Sequence, residues 1–309
     1  MRTTHTHIAA PTYRGRRKFV GSLLLLLLVA FSFWGGTSGN AARNWFARPG
    51  NASAAVASST VTATLFATIT VNTTADDNTV NGNCTLREAI IAANTNAAVD
   101  ACTAGAAGVD NIVFNLGAGT PSIAVTGSAL PDITEPVVID GATGGATRVE
   151  LNGAAAGAGA NGLTVKGGGS TIKSLVINRF PDDGVEFNGA GGNTIVNCYL
   201  GTDVNGTAAL GNTFDGVFMV DSVNNTVGGT TASERNLLSG NGQSGVNVAG
   251  ATATGNKVVG NYIGVNATGA AALGNTLFGV LIAAGSNNTI GGATAGERNL
   301  ISGNNGPGV

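Results

Sequence analysis

Short apolar segments, each ended by glycine or asparagine, recur along most of the chain. They are two to four residues long, as in Val217-Phe218-Met219-Val220 and Leu237-Leu238. A helix is a poor interpretation of them, because each glycine costs roughly 1 kcal/mol relative to alanine in a helix. Strands this short do not form a sandwich through ordinary hairpins. Stacked coils suit them, since each strand then pairs in parallel with the equivalent strand of the next coil.

The apolar segments belong to a sequence repeat. Residues 193–241 match residues 256–304 without a gap, and every matched pair lies 63 residues apart. A glycine followed by an aliphatic residue opens each coil, which indicates a basic coil of 22 residues with loops inserted at 201–212, 228–235 and their copies. The coil openings are Gly162-Leu163, Gly184-Val185, Gly216-Val217, Gly245-Val246, Gly279-Val280 and Gly308-Val309.

The repeat predicts an all-β fold, a right-handed parallel β-helix. Aliphatic side chains are expected to point inward and to stack on their copies in neighbouring coils. Glycine and asparagine are expected in the left-handed conformations of the corners, where corner asparagines can also stack as hydrogen-bonded ladders. Irregular early coils are predicted from four strand-like segments at 112–114, 123–125, 137–139 and 149–151.

A short amphipathic helix is predicted to cover the N-terminal end of this solenoid, since an open end exposes strand edges. Residues 84–94 read CTLREAIIAAN, in which Thr85 and Glu88 form a T-x-x-E capping box. Leu86 and Ile90 lie on the apolar stripe of this helix, so we expect both to be buried. At the other end no cap is apparent, which indicates a fragment of a longer protein or a frayed last coil.

The N-terminal segment has the pattern of a signal peptide. A basic stretch at 14–18 precedes an apolar run from Phe19 to Trp34, and Ala55-Val56-Ala57 fits a cleavage site. An uncleaved anchor is the alternative; after cleavage the mature chain would have no membrane span. The predicted organisation is a signal peptide and flexible Ala/Ser-rich stretch at 1–57, a cap region at 58–110 and the β-helix at 111–309.

The three cysteines fit an exported chain. Cys84 and Cys102 lie 18 residues apart and flank the predicted helix. In an oxidising compartment they can form a disulfide, although two unpaired buried thiols remain an alternative. Cys198 is left over and corresponds to Asn261 in the repeat, so we expect a packed, inert thiol on a strand.

Composition narrows the possible partners. Charged residues make up 10% of the chain and the formal net charge is −2, which gives no support for nucleic-acid binding. Both histidines, His5 and His7, precede the signal-like segment. The partner that we expect is an extracellular polysaccharide or a cell-surface component.

The motif CTLREAI at 84–90 resembles the CSLREAI motif of bacterial exported proteins named for their CSLREA region. The units at 224–241 and 287–304, NNTVGGTTASERNLLSGN and NNTIGGATAGERNLISGN, are similar to the β-helix repeats that often accompany that motif. The resemblance covers residues from about 65 to 309. It implies export, a pectin-lyase-like parallel β-helix and surface exposure, and it carries no catalytic residue with it.

The best candidate for catalysis is an acidic cluster with one arginine. Asp182, Asp183 and Glu186 follow Arg179, and Asp215 occurs one coil later. Polysaccharide lyases use a basic group to abstract a proton beside a carboxylate, and glycosidases use paired carboxylates. The alternative is that Asp183-Gly184 and Asp215-Gly216 occupy the same corner of successive coils, where aspartate favours the turn.

Other candidate sites are weaker. Asp76 and Asp77 form an exposed polar stretch before the cap, which could bind calcium loosely; no other cofactor is predicted. Asp203 begins a sequence like the start of a calcium loop, but its copy is Asn266. Glu234-Arg235 and its copy lie in inserted loops, where ligand contact and local bonding are both possible.

Three functional hypotheses follow. The first is an exported or cell-surface repeat protein with a structural, adhesive or glycan-contacting role and no catalytic site. The second is a polysaccharide lyase or glycoside hydrolase. The third is the passenger region of a surface-display protein.

Overall fold

The structure is a computed structural model that describes residues 66–309. The predicted signal peptide and flexible stretch, 1–57, and residues 58–65 lie outside the described residues. In chain order the elements are β1 (Thr68–Val71), α1 (Leu86–Thr95), β2 (Asp110–Phe114), β3 (Ser122–Thr126), β4 (Val137–Asp140), β5 (Val149–Ala155), β6 (Leu163–Val165), β7 (Thr171–Lys173), β8 (Leu175–Asn178), β9 (Val185–Asn188), β10 (Thr194–Val196), β11 (Tyr199–Leu200), β12 (Val217–Val220), β13 (Thr226–Gly228), a 3-10 turn (Ala232–Glu234), β14 (Leu237–Leu238), β15 (Val246–Ala249), β16 (Lys257–Val259), β17 (Tyr262–Ile263), β18 (Val280–Ile282), β19 (Thr289–Ile290), a second 3-10 turn (Ala295–Glu297) and β20 (Leu300–Ile301).

The strands form three sheets in which every pairing between these strands is parallel. The first sheet has the order β1-β2-β4-β7-β10-β13-β16-β19, the second β3-β5-β8-β11-β14-β17-β20, and the third β6-β9-β12-β15-β18. Neighbouring strands of one sheet come from successive coils. The predicted stack of coils is therefore confirmed, and it is consistent with a right-handed parallel β-helix.

Aliphatic columns form the core, because each inward side chain stacks on the equivalent one in the next coil. In the first sheet seven of eight column members are fully buried, which is the burial typical of parallel strands rich in β-branched residues. This column consists of Ile69, Ile112, Ile139, Ile172, Ile195, Val227, Val258 and Ile290.

The third sheet confirms five of the six predicted coil openings, and the sixth, Gly308-Val309, starts no strand. The strands of this sheet begin at the aliphatic residue that follows each glycine, as Val185 does in β9 and Val217 in β12. The four early strand-like segments are confirmed as well and form β2 to β5. The first sheet already starts at β1, so the predicted cap region also contains the first strand of the solenoid.

At the corners before β10 and β13, two adjacent residues have separate roles. Gly192 and Asn224 take left-handed φ values of 76° and 55°, which let the chain turn. The asparagine that follows forms the ladder: Asn193 N–H donates to Asn225 Oδ1 at 3.0 Å, and Asn225 N–H donates to Asn256 Oδ1 at 2.9 Å. The sequence predicted the left-handed backbone and the ladder bonds for the same residues. In the structure they belong to two residues adjacent in sequence.

Helix α1 covers the N-terminal end as predicted. Thr85 Oγ1 accepts from Glu88 N–H and Glu88 Oε2 accepts from Thr85 N–H at 3.0 Å, which completes the capping box. Leu86 and Ile90 are each 1% exposed and belong to the same apolar core as β1 and β2. The helix packs on these two strands, so it closes the end of the first sheet.

Arg87, on the same helix, fastens the cap to the coil beneath it. Its Nε and Nη2 donate to the Asp76 carboxylate at 2.9 and 3.0 Å. Nη1 and Nη2 also donate to the main-chain oxygens of Ala129 and Ser128, just after β3. Every nitrogen of this guanidinium has a partner within the protein.

Cys84 and Cys102 form a disulfide, with their Cα atoms 4.8 Å apart. This confirms pairing over two unpaired thiols and is compatible with an extracytoplasmic location. Cys198 is fully buried, but it lies in the corner between β10 and β11; its expected place on a strand is wrong. The reason is that its copy, Asn261, is a corner ladder residue. Within residues 66–309 no helix has the length and apolar character needed to cross a membrane.

Candidate functional site

The acidic residues predicted as catalytic candidates lie at the corner where the chain enters the third sheet. Asp182 and Asp183 precede β9, and Asp215 takes the matching place before β12. Glu186 is on β9 itself, at a partly exposed position between two inward residues. The fold therefore brings these four carboxylates, from two successive coils, to one corner.

Two of the carboxylates act as rungs of a ladder. Asn161 Oδ1 accepts from Asp183 N–H at 2.9 Å, and Asp183 Oδ1 accepts from Asp215 N–H at 2.7 Å. Asp215 Oδ1 accepts from Ser244 N–H at 2.7 Å, and its Oδ2 accepts from Asn247 Nδ2 at 2.8 Å. Asp183 and Asp215 thus occupy the same corner of successive coils, and their oxygens bond the backbone of the coil that follows.

Burial of these carboxylates changes their ionisation. Asp183 is 5% exposed, and burial raises its pKa to about 8, with the charges of Asp215, Asp182 and Glu186 acting in the same direction. Burial also raises the pKa of Asp215, against the opposing effect of its hydrogen bonds from Asn247 and Ser244. Asp183 therefore holds a proton at neutral pH, which a ladder of carboxylates needs in order to avoid adjacent buried charges.

Asp182 and Glu186 form the more accessible half of the corner. Partial burial raises the pKa of Asp182, helped by the charges of Glu186 and Asp215. Glu186 Oε2 accepts from Asn161 Nδ2 at 2.7 Å and Oε1 accepts from Asn188 Nδ2 at 3.0 Å. Amide groups therefore hold Glu186 in place beside the ladder.

Arg179 is not part of the carboxylate cluster in the way the sequence suggested. It starts the turn that follows β8, with a left-handed φ of 61°, and its side chain is exposed. Among the described residues it forms no ion pair with an acid. The arginine therefore serves the turn through its backbone, and its charge stays in solvent.

The two aspartates before the cap have structural partners. Asp76, expected to be exposed, has a side chain that is 2% exposed; besides Arg87 it accepts from Thr126 N–H at 2.8 Å. Asp77 accepts from the main chain and hydroxyl of Thr79 at 3.1 and 2.7 Å, and the hydroxyl bond lowers its pKa. The prediction of an exposed stretch was wrong for Asp76, because Arg87 on the following helix α1 binds its carboxylate.

The described residues contain no group of three or more His, Cys, Asp or Glu side chains placed to hold a metal ion. Asp203, in the loop that resembles a calcium site, accepts from Thr207 and Ala208 N–H at 2.6 and 2.9 Å. Its copy Asn266 accepts from the equivalent groups through its amide oxygen. A neutral side chain thus makes the same turn.

The inserted loops with Glu-Arg pairs are closed by local hydrogen bonds. Glu234 Oε2 accepts from Thr231 N–H at 3.0 Å and from its hydroxyl at 2.8 Å, and these bonds lower the pKa of Glu234. Glu297 does the same with Thr294 in the copy. The glutamates therefore cap the two 3-10 turns.

An arginine and tyrosine cleft was not predicted from the sequence. Arg148 lies over the ring of Tyr199 with its guanidinium carbon 4.0 Å from the centroid, and Arg235 lies over Tyr262 at 4.2 Å. Both pairs line a cleft of about 130 Å³, with Leu237 between them. The available signal was the spacing of Tyr199 and Tyr262, which is the repeat spacing.

The chain matches no model of a known protein family, and no curated protein matches it. The roles of the acidic corner and of the cleft therefore rest on their geometry.

Proposed function

We propose that this chain is an exported or cell-surface β-helix repeat protein with a structural, adhesive or glycan-contacting role and no catalytic site. The observation that carries the proposal is the ladder at the acidic corner. Asp183 and Asp215, the most buried of the catalytic candidates, accept main-chain N–H groups of the next coil at 2.7 Å. A group bonded in this way holds the coils together and has little freedom to transfer a proton to a substrate.

Export is part of the same proposal. It is supported by the resemblance of residues 84–90 to the CSLREA motif, by the signal-like pattern at 1–57, and by the Cys84–Cys102 disulfide. Expression in a bacterial host with the native N-terminus, followed by fractionation and N-terminal sequencing, tests it. We expect the chain outside the cytoplasm with a new N-terminus just after Ala57; an intact N-terminus in the cytoplasm would contradict it.

The test of the non-catalytic role is incubation of the purified chain with a panel of neutral, carboxylated and sulfated polysaccharides. We expect no new reducing ends and no absorbance from unsaturated uronates. Release of either product, abolished in a matched Asp182→Asn variant, would overturn the proposal.

A second candidate, a polysaccharide lyase or glycosidase, is favoured by one observation. Asp182 is partly exposed with a raised pKa, and the charge of the neighbouring Glu186 contributes to that rise. Two carboxylates whose environments differ are the arrangement that acid and base catalysis of glycoside cleavage uses. In this case Asp182→Asn and Glu186→Gln would each abolish product release without changing the thermal midpoint.

A further inference from the structure

The cleft between the two arginine and tyrosine pairs carries positive charge without a carboxylate to neutralise it. Its lining includes Arg148 and Arg235 and contains no aspartate or glutamate. Neither arginine forms an ion pair within residues 66–309. Because the chain as a whole is slightly acidic, this is a local concentration of charge on a surface that otherwise has few charges.

The arginines of the cleft differ from Arg87 in how their donors are used. Arg235 donates through Nε to Gly260 O at 3.2 Å, and its two terminal nitrogens have no partner in the described structure. Arg148 donates through Nε to Asn197 O and through Nη2 to Asn197 Oδ1, and its Nη1 has no partner in the described structure. Arg87, which is purely structural, has partners for all three nitrogens. The free donors are therefore available to a ligand.

Both guanidinium groups are fixed in position before any ligand binds. A tyrosine ring lies against one face of each, and a main-chain oxygen fixes each Nε. Stacking on an aromatic ring restricts the planar guanidinium, so less entropy is lost when a ligand binds. The hydroxyls of Tyr199 and Tyr262, two residues that line the cleft, form no hydrogen bond within the described chain.

The donors define the class of ligand. A guanidinium fork matches the oxygens of a carboxylate or sulfate, and the neighbouring phenol hydroxyls suit ring hydroxyls. The lining is mostly polar, with Asn197 and Asn236 beside the arginines, and Leu237, Ala232 and Ala267 add a smaller apolar part. A single sugar residue that carries an anionic group presents these three features together: an oxyanion, hydroxyls and an apolar ring face.

We propose that this cleft binds an anionic saccharide, through its carboxylate or sulfate group, in a linear acidic polysaccharide. The inference rests on the proposed adhesive role and names its ligand class. Tyr199 and Tyr262 are two strands apart in the second sheet, roughly 10 Å along the axis, so a polymer lying along the solenoid meets both arginines.

Binding of alginate, as a carboxylated probe, and carrageenan, as a sulfated probe, to the purified chain tests the proposal, with neutral dextran as reference. We expect both acidic probes to bind, with an affinity that falls as salt increases, and dextran not to bind. Comparison of the two acidic probes decides which oxyanion is preferred. No binding of either, or equal binding of dextran, would overturn the proposal.

Arg298 offers a matched control, because it is the copy of Arg235 in the repeat but does not line the cleft. We expect Arg235→Gln to weaken binding about tenfold or more, Arg235→Lys to restore part of it, and Arg298→Gln to leave it unchanged. Equal losses in Arg235→Gln and Arg298→Gln would show unspecific charge attraction and overturn the inference.

Thermal unfolding of each variant separates ligand contact from folding. If Arg235→Gln lowers the midpoint, Arg148→Gln provides the second test at the other pair, and loss of binding there with an unchanged midpoint supports the inference. If the wild-type chain binds no acidic polysaccharide and releases no product, this inference is wrong and the proposed non-catalytic role stands. If the chain binds the acidic polysaccharides and also releases new reducing ends, the proposed non-catalytic role is wrong and this inference stands.

Discussion

At the scale of single residues, the corner before the third sheet has two successive carboxylates at ladder positions, where the corner before the first sheet has amides. Asn193 and Asn225 bond their neighbours as neutral groups, whereas Asp183 and Asp215 would carry adjacent charges if both were ionised. Burial at 5% and 3% exposure makes that charged state costly. Protonation of Asp183 resolves the conflict at neutral pH, and it makes stability depend on pH.

Asp183→Asn is expected to stabilise the fold, increasingly so as the pH rises. Below about pH 4 Asp183 is protonated in both the folded and unfolded states. Between about pH 4 and 8 the unfolded chain releases the proton while the folded chain holds it, so wild-type stability falls. The variant has no such loss, and its advantage at pH 8 is on the order of 2–5 kcal/mol. Denaturant unfolding at several pH values measures it.

Asp203→Asn is the control with the opposite sign. Partial burial of Asp203 is outweighed by hydrogen bonds from Ala208 and Thr207, which lower its pKa. Its ionised form therefore adds stability above about pH 4, and the variant should gain nothing as the pH rises. An Asp183→Asn profile parallel to that of the wild type would show that Asp183 is ionised in the folded chain.

Cys198 interrupts an asparagine ladder at its N-terminal rung. Its N–H donates to Asn236 Oδ1 at 2.9 Å, but its thiol receives Leu175 N–H only at 3.5 Å. Burial raises the pKa of this thiol to about 12, so it stays protonated. We expect Cys198→Asn to add one rung and about 1 kcal/mol of stability, relative to Cys198→Ser, by thermal unfolding. An asparagine variant less stable than the serine variant would contradict the ladder explanation.

At the scale of elements, α1 is the cover for a surface that would otherwise pair with other chains. Leu86 and Ile90 contribute roughly 1.5–3 kcal/mol each by burial. The double variant Leu86→Asp/Ile90→Asp should therefore lose about 3–6 kcal/mol and expose the edge of β1, which promotes association. Sedimentation velocity measures the association, and Ala97→Asp, at an exposed position after the helix, is the control. A monomeric double variant with an unchanged thermal midpoint would contradict the capping role.

The elements that the sequence predicted well are those with local signals. The capping box and apolar stripe of α1 lie within a few residues, and the coil openings recur as glycine and an aliphatic residue. What could not be predicted depends on contacts between coils. Asp76 is buried by an arginine 11 residues away, and Arg148 meets Tyr199 only because the coils between them stack. No recognisable sequence motif marks either of these two pairings.

At the scale of the whole molecule, stability is expected to depend on how many neighbouring coils a residue contacts, as in other repeat proteins. Asn241 and Asn304 are copies in the repeat, and each accepts from the asparagine of the preceding coil. Asn241 alone also donates to a following one, Asn275, at 3.0 Å. Asn241 is fully buried and Asn304 is half-buried.

Asn241→Ala should therefore cost about 2–4 kcal/mol and Asn304→Ala about 1–2 kcal/mol. Thermal unfolding of the two variants side by side gives the difference. Hydrogen exchange should show the same gradient, with the slowest amides in the central coils. Equal losses at the two copies would contradict the expected dependence on contacts with neighbouring coils.

The direction of the hydrogen bonds between coils has a mechanical consequence. The strands run around the solenoid, so the bonds that join neighbouring strands point along its axis. Tension applied between the two ends pulls directly against those bonds and loads all coil boundaries in series, whereas a hairpin pulled along its strands would resist in shear. A solenoid built this way should lengthen in steps, one coil at a time, as its coils unwind. The Cys84–Cys102 disulfide, by contrast, keeps the segment between its cysteines closed under the same load.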